Sequence, residues 1–313
     1  MTHAAGWGFA SLARERFVAA GPLRILAFAF SVALLGCDSR PAGPAKVKPG
    51  SQLRIVSAAP NITEICCALG LRAQLVGRTR YCTYPPGIET VPSIGALLDV
   101  NVEALLDLRP DLILIAGRSR SITERLAPLD LRLESLPDDS LDDLFRSIRR
   151  IGELTGRGEG AERLCEKVRS ELDAVDARYS GVAPARVLLL TATLSDPPTP
   201  PIVASPGSFY DDLIRRAGHT NIAAAGARSF VPLSLEFILH EDPDVILELD
   251  PTGRGRAHGA ASAREVWSRI GPLRAVADRR VRVLSNLEFS VLGPRIARTY
   301  DAICRAVAEK SNE

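Results

Sequence analysis

The chain has 313 residues, 46% of them hydrophobic and 24% charged, which is enough to bury a large core and more than one core usually serves, so two lobes are expected. Its net charge of +2 is accounted for by Arg14, Arg16 and Arg24 against Glu15, all before residue 37, and the neutral remainder excludes nucleic acid as a partner. The four histidines, His3, His219, His240 and His258, are scattered and do not have the spacing of a zinc or iron site, so no metal centre is expected.

In chain order, the early arginines precede ILAFAFSVALL, an apolar run too short to span a bilayer but suited to the core of a signal peptide over residues 1–36. The run ends in LLGC, which resembles the bacterial lipobox. That resemblance implies cleavage before Cys37 and lipid attachment to it, and Asp38 resembles the signal that retains lipoproteins at the inner membrane. The polar, Pro/Gly-rich DSRPAGPAKVKPGSQ then reads as a flexible tether, residues 37–51.

From Leu53 strands and helices alternate. LRIVSAA is a β-branched apolar run. PNITEICCALGL follows, with Asn61 as an expected N-cap, Glu64 completing a capping box and Gly70 as the C-cap. After the short strand QLVGRT comes RYCTYPPG, a surface loop by its double proline. A helix Val102 to Leu108 is stopped by Pro110 and followed by a nearly continuous apolar strand, Asp111 to Ala116, as in a parallel sheet buried on both faces. SITERLAPL and LRLESLP repeat the unit. Such alternation predicts a doubly wound α/β sheet.

Leu141 to Tyr179 reads as helix apart from a joint at Gly156 to Gly160. Its second part carries a stripe of Leu164, Val168, Leu172, Val175 and Tyr179 on a helix of roughly 30 Å, long enough to bridge two lobes. A second α/β series then runs through RVLLLTAT, a Pro-rich loop SDPPTPP, helices SFYDDLIRRAG and SLEFILHED, strand DVILEL, a helix around Trp267, strand RVRVLS and a last helix after LGPRI. Helix Leu235 to His240 before PDVILEL mirrors helix Val102 to Leu108 before PDLILIA. Trp267 is expected in the core.

The turn SAAPNITE between first strand and first helix has no glycine, and there is no Walker loop, no G-x-S-x-G elbow and no kinase signature. With no motif that carries a mechanism, the chain is expected not to be an enzyme. It reads instead as a two-lobed binder with its ligand outside the carboxyl ends of the strands.

At this point a resemblance is visible. The blocks RIVSAAPNITEICCALGL, LVGRTRYCTYPP, VNVEALLDLRPDLILI, SFYDDLIRRAGHTNIA, VPLSLEFILHEDPDVIL and LGPRIARTYDAI, spread in fixed order over Leu53 to Val307, resemble the ABC-transporter substrate-binding proteins that carry cobalamin, ferric siderophores and haem, the class III periplasmic binding proteins. The tyrosine loop before Pro85-Pro86 and the PRI helix look most like the cobalamin-binding members. The resemblance implies two Rossmann-like α/β lobes, residues 52–156 and 181–313, joined by one long helix, 157–180, with little hinge motion. It implies capture of a cobalamin-like or iron-chelate ligand and delivery to a permease dimer by a monomer lipid-anchored at the periplasmic face of the inner membrane, with no cofactor.

The same resemblance puts Glu103 and Glu236, one per lobe, at the permease, and Tyr81, Tyr84, Arg80, Leu97, Phe230, Phe289 and Arg295 at the ligand. Leu97 and Ala116 stand where cobalamin-binding members carry tryptophans. Arg80, Arg118 and Arg295 leave room for an anionic ligand such as haem or a ferric siderophore. A ligand sensor without a permease and an enzyme on the same scaffold are the readings from other classes. In an exported domain, Cys82 pairing with Cys66 or Cys67 would staple the loop to the first helix, and free buried thiols are the alternative. Cys304 aligns with half of a family disulfide whose partner position is Ala217 here, so that bond should be absent, and Cys165 is expected in the core.

Overall fold

The computed structural model describes residues 52–96, 99–117, 126–129, 131–196, 198–223, 228–251 and 259–309. The expected signal peptide and tether, with Cys37, lie outside the described residues, as do Leu97 and Arg118. The strands are β1 Ile55–Ser57, β2 Leu75–Arg78, β3 Gly95–Ala96, β4 Asp99–Val100, β5 Leu112–Ala116 and β6 Leu133–Leu136, then β7 Arg186–Leu190, β8 Ile202–Ala204, β9 Thr220–Asn221, β10 Phe230–Pro232, β11 Val245–Leu249 and β12 Val281–Leu284.

The first sheet has the order β2-β1-β5-β6 and is parallel throughout. Ile55 faces Leu112 and Ser57, the last residue of β1, faces Leu114, two residues before the end of β5, so the turns that follow the two parallel strands open on the same edge. The second sheet has the order β10-β8-β7-β11-β12. Its β7, β11 and β12 are parallel, as the sequence predicts, with Val245 opposite Val187 and Ile246 opposite Val281. An antiparallel arm of β8 and β10 extends it, and β9 joins β7 at its start. These three strands and the β3–β4 hairpin have two or three residues each, too few for alternation to show in sequence.

Between the sheets run helices Leu141–Thr155 and Gly158–Tyr179. Ser140 caps the first in a capping box with Asp143, and Gly156, at φ 69°, ends it in the left-handed region that favours glycine. The second is the helix that the sequence reading expects to bridge the lobes. Its Leu164, Val168, Leu172 and Val175 are buried, with Tyr179 packed at the edge. Helix Ile296–Ala308 packs along it through Tyr300 and Ile303, and Tyr300 Oη donates to Asp176 Oδ1 at 2.5 Å.

Strand alternation divides the core. Ile55, Leu112 and Leu114 of the first sheet and Val187, Leu189, Val245 and Leu247 of the second all face one continuous cluster around these helices. Leu188, Leu190 and Ile246 face an outer cluster with Trp267, and Val56, Ile113 and Ile115 face another with Leu105. The two sheets are distinct, but they share a core. Trp267 is fully buried, as expected, and its indole N–H donates to Glu248 Oε1 at 2.7 Å.

Two local expectations fail. The first helix is Pro60–Ala68 with Ala59 as N-cap and no side-chain cap, so Asn61 caps nothing. Pro60 takes the first helical position, where its missing N–H costs nothing, and this starts the helix early and frees Glu64 for a different partner. Nor is there a staple. Cys66, Cys67 and Cys82 are free thiols, as are Cys165 and Cys304. Thr63, one turn before Cys66 and Cys67, is the residue that meets the loop. Its Oγ1 lies 3.0 Å from Cys82 Sγ, and Thr79 Oγ1 lies 3.2 Å away. Cys66 turns instead into the shared core. The loop is tied to the first helix, but by one hydroxyl–sulfur hydrogen bond, from Thr63.

Candidate functional site

Because the strands are parallel, their carboxyl ends gather the segments that lead into helices, and these segments from both sheets enclose a cavity of about 480 Å³. From the first sheet come Ala59, Pro60 and Asn61 after β1, Ala116 at the end of β5 and Asp138 two residues after β6. From the second come Thr191 after β7, Phe230 on β10, and Phe209 and Tyr210 on helix Phe209–Arg216. Ser290, Val291 and Leu292 close the ring. The lining is mostly apolar, with aromatic faces on the second-sheet side. Phe209 and Tyr210 have ring centroids 3.9 Å apart, and Phe230 meets Tyr210 edge-on at 6.2 Å. Tyr210 is held by a 2.7 Å hydrogen bond from its hydroxyl to the Phe289 carbonyl, and burial pushes its phenol pKa up.

Asp138 is the one charged side chain in this lining among the described residues. It has no hydrogen-bond or ion-pair partner there. Burial first, then the neighbouring carboxylates of Asp139 and Asp143, push its pKa up to about 6. Gly117, at φ 66°, lies directly beneath it, and a Cβ there would come within 2.8 Å of Asp138 Oδ1.

The predicted ligand residues separate into two places. Phe230 lines the cavity and Phe289 supports it through its carbonyl. Arg80 and Tyr81 are exposed, with the guanidinium 5.4 Å from the ring, and neither lines the cavity. Tyr84 and Arg295 line a second cavity of about 310 Å³. Arg295 is committed there. Its Nε and Nη2 donate to Glu64 at 3.0 and 2.5 Å, its Nη1 pairs with Glu288, and its guanidinium lies 3.7 Å from the Tyr84 ring centroid. Glu64 stands one helical turn from Pro60 and Asn61, so this pair joins the first-sheet helix to the segment leading into Ile296–Ala308 at the edge of the main cavity. A second tie is made by Asp139. Its carbonyl accepts the Phe209 N–H at 2.6 Å and its carboxylate accepts from Ser229 Oγ at 3.1 Å, while Leu141 N–H donates to Asp212 at 2.8 Å.

Sequence reasoning missed Asp138, Phe209 and Tyr210. The signal was present in the rule that ligands bind outside the carboxyl ends of parallel strands, applied residue by residue to the turn after β6. Glu103 and Glu236 lie where expected, exposed in the first turns of helices Val102–Asp107 and Leu235–Glu241, which Asn101 and Ser234 cap. Among the described residues no helix is long and apolar enough to cross a membrane.

Comparison with known proteins adds four findings. A family model described as periplasmic binding protein matches residues 55–286. An uncharacterized ABC transporter substrate-binding lipoprotein of Bacillus subtilis is 27% identical over 259 residues, 81% of this chain and 79% of the relative. A vitamin B12-binding protein of Pectobacterium atrosepticum is 26% identical over 265 residues, 82% of this chain and 88% of that one. Among solved structures, a periplasmic haem-binding protein of Roseiflexus in apo form superposes with a TM-score of 0.69 at 28% identity, covering 82% of this chain and 98% of its own.

Proposed function

The chain belongs to the periplasmic binding protein family, and from that premise we propose that it captures a cobalamin-like corrinoid between its two sheets and delivers it to an ABC importer. The observation that carries this reading is the charge of the cavity. Anionic cargo such as haem or a carboxylate siderophore is held by cations, most often arginines in bidentate pairs. Among the described residues no cation lines the cavity, and its single charge is the acid Asp138. Arg295 is occupied by Glu64 and Glu288, and Arg80 lies out on its loop. A large ligand with apolar faces and a fringe of neutral amides suits such a lining. The aromatic faces of Phe209, Tyr210 and Phe230 would cover its ring system, and the polar lining would meet its amides.

In the same reading Cys37 carries lipid, residues 37–51 tether the binding unit to the periplasmic face of the inner membrane, and the chain acts as a monomer. Glu103 and Glu236 meet the permease dimer. They would act chiefly in register and steering, because exposed ion pairs contribute about 0–1 kcal/mol each. The test is titration of the purified protein with cyanocobalamin, haemin and a ferric siderophore, followed by calorimetry and absorption spectra. Micromolar or tighter binding of cyanocobalamin is expected. Binding of haemin or the siderophore with none of cyanocobalamin would replace the corrinoid reading.

A further inference from the structure

The feature of the cavity that packing does not explain is Asp138. It sits two residues past the end of β6, over Gly117, half-buried in the cavity wall, and no described residue supplies a donor to it. Its neighbours differ in this respect. The Asp139 carboxylate accepts from Ser229 Oγ. Asp143 accepts from Ser140 and pairs with Arg146. Across the cavity, Asp212 accepts from the Leu141 N–H, and the Tyr210 hydroxyl is spent on the Phe289 carbonyl. Among the described residues, the other carboxylates and the tyrosine hydroxyl around the site are therefore satisfied within the protein, and Asp138 is the one charged group left with its acceptor oxygens open, beside the neutral amide of Asn61 in the same lining. A partly desolvated carboxylate without donors is costly to keep, and the cost is recovered when a donor enters with the ligand.

We propose that Asp138 is the specificity-determining residue of the cavity, accepting N–H donors from the amide fringe of the bound corrinoid and disfavouring cargo that presents carboxylates. This deepens the corrinoid reading and rests on it. A direction of pH dependence follows. Burial first, then the carboxylates of Asp139 and Asp143, push the Asp138 pKa up to about 6. Only the ionised form offers acceptors alone, so affinity is full above that value and falls as the pH drops through it. Near pH 5 about one-tenth of the carboxylate is ionised, which weakens apparent affinity about tenfold.

The experiment is calorimetric titration of the wild-type protein and D138N with cyanocobalamin at pH 7.5 and pH 5.0, with matched circular dichroism and thermal melts to show that both are folded. For the wild type, about tenfold tighter binding at pH 7.5 than at pH 5.0 is expected. For D138N, affinity at pH 7.5 should be about tenfold weaker, with no difference between the two pH values. A corrinoid with one side-chain amide hydrolysed to a carboxylate should bind the wild type more weakly than cyanocobalamin, and D138N should narrow that gap. Equal, pH-independent affinities for cyanocobalamin in wild type and D138N would overturn the role of Asp138 while leaving the corrinoid reading standing. Absence of cyanocobalamin binding to either protein would overturn the corrinoid reading, and this inference with it.

Discussion

Replacing Arg295 with methionine, which keeps an apolar stem of similar length, removes the cation between Glu64 and Glu288. The side chains of Glu64 and Arg295 are 4% and 18% exposed, and that of Glu288 is 15% exposed, so the pair belongs with buried rather than surface ion pairs. Removing one partner of a buried pair costs about 3–5 kcal/mol because the other charge is left uncompensated, whereas a surface pair is worth about 0–1 kcal/mol. The guanidinium also lies over Tyr84 at 3.7 Å, a contact worth about 1–2 kcal/mol where water is excluded. Because Arg295 keeps some solvent, a loss of about 3 kcal/mol is expected for R295M. Urea unfolding by fluorescence and circular dichroism is the assay, and the shared core predicts one coincident transition for both probes. The double variant E64Q/R295M should be more stable than R295M alone by at least about 1 kcal/mol, since it removes the stranded charge. A loss below about 1 kcal/mol in R295M, or no recovery in the double variant, would refute the assignment of this pair as a buried link between the lobes.

Charge reversal at both Glu103 and Glu236 should abolish uptake in cells while the purified variant binds cyanocobalamin with unchanged affinity. Loss of binding would instead place these residues in folding or in the site. W267F leaves Glu248, 1% exposed, without its indole donor, and should cost about 1–3 kcal/mol. Burial already raises the Glu248 pKa and the indole offsets part of that rise. Without it the folded-state value climbs further, so the loss should be larger at pH 7.5, where the unfolded chain ionises, than at pH 4, where the group is protonated in both states. Equal losses at the two pH values would count against this account. Alkylation in guanidinium without reductant, read by mass spectrometry, should label Cys66, Cys67 and Cys82 together, and protection of Cys82 with one of the others would restore the staple.

Long, regular features were legible because each is signalled many times over. The stripe from Leu164 to Val175 repeats over several turns, and the apolar runs of β5, β7 and β11 are bounded by Pro110, Asp244 and the turns that follow. Helix Val102–Asp107 is marked by the stop at Pro110, and helix Leu235–Glu241 by the same placement before PDVILEL. The site was less legible because it is made of strand-end residues whose neighbours come from elsewhere in the chain. Nothing local distinguishes Asp138 from Asp139. Only the fold shows that one accepts from Ser229, 90 residues away, while the other is left open. Arg295 reads from sequence as a free cation, and it takes Glu64, 231 residues away, to show that it is occupied. Cys82 failed for a related reason: spacing brings a loop near a helix, but the helical turn decides that Thr63 faces the loop and Cys66 faces the core.

The ties between the lobes bear on how the cavity works. Glu64 with Arg295, Asp139 with Phe209 and Ser229, and Leu141 with Asp212 join the lobes beside the cavity itself. Helix Gly158–Tyr179 is tied in turn to helix Phe209–Arg216 through the ion pairs of Arg216 with Asp173 and Asp176. Wide closure around a ligand would have to break the first set and shear the shared core, whose close packing resists continuous deformation. A cavity held in this way is largely formed before the ligand arrives, so little ordering cost is charged against binding. Its selectivity must then come from what already lines it rather than from groups brought in by closure. In a lining of aromatic and small apolar residues, that puts the burden of discrimination on the few polar side chains present, and among the described residues Asp138 is the only one of them that carries charge.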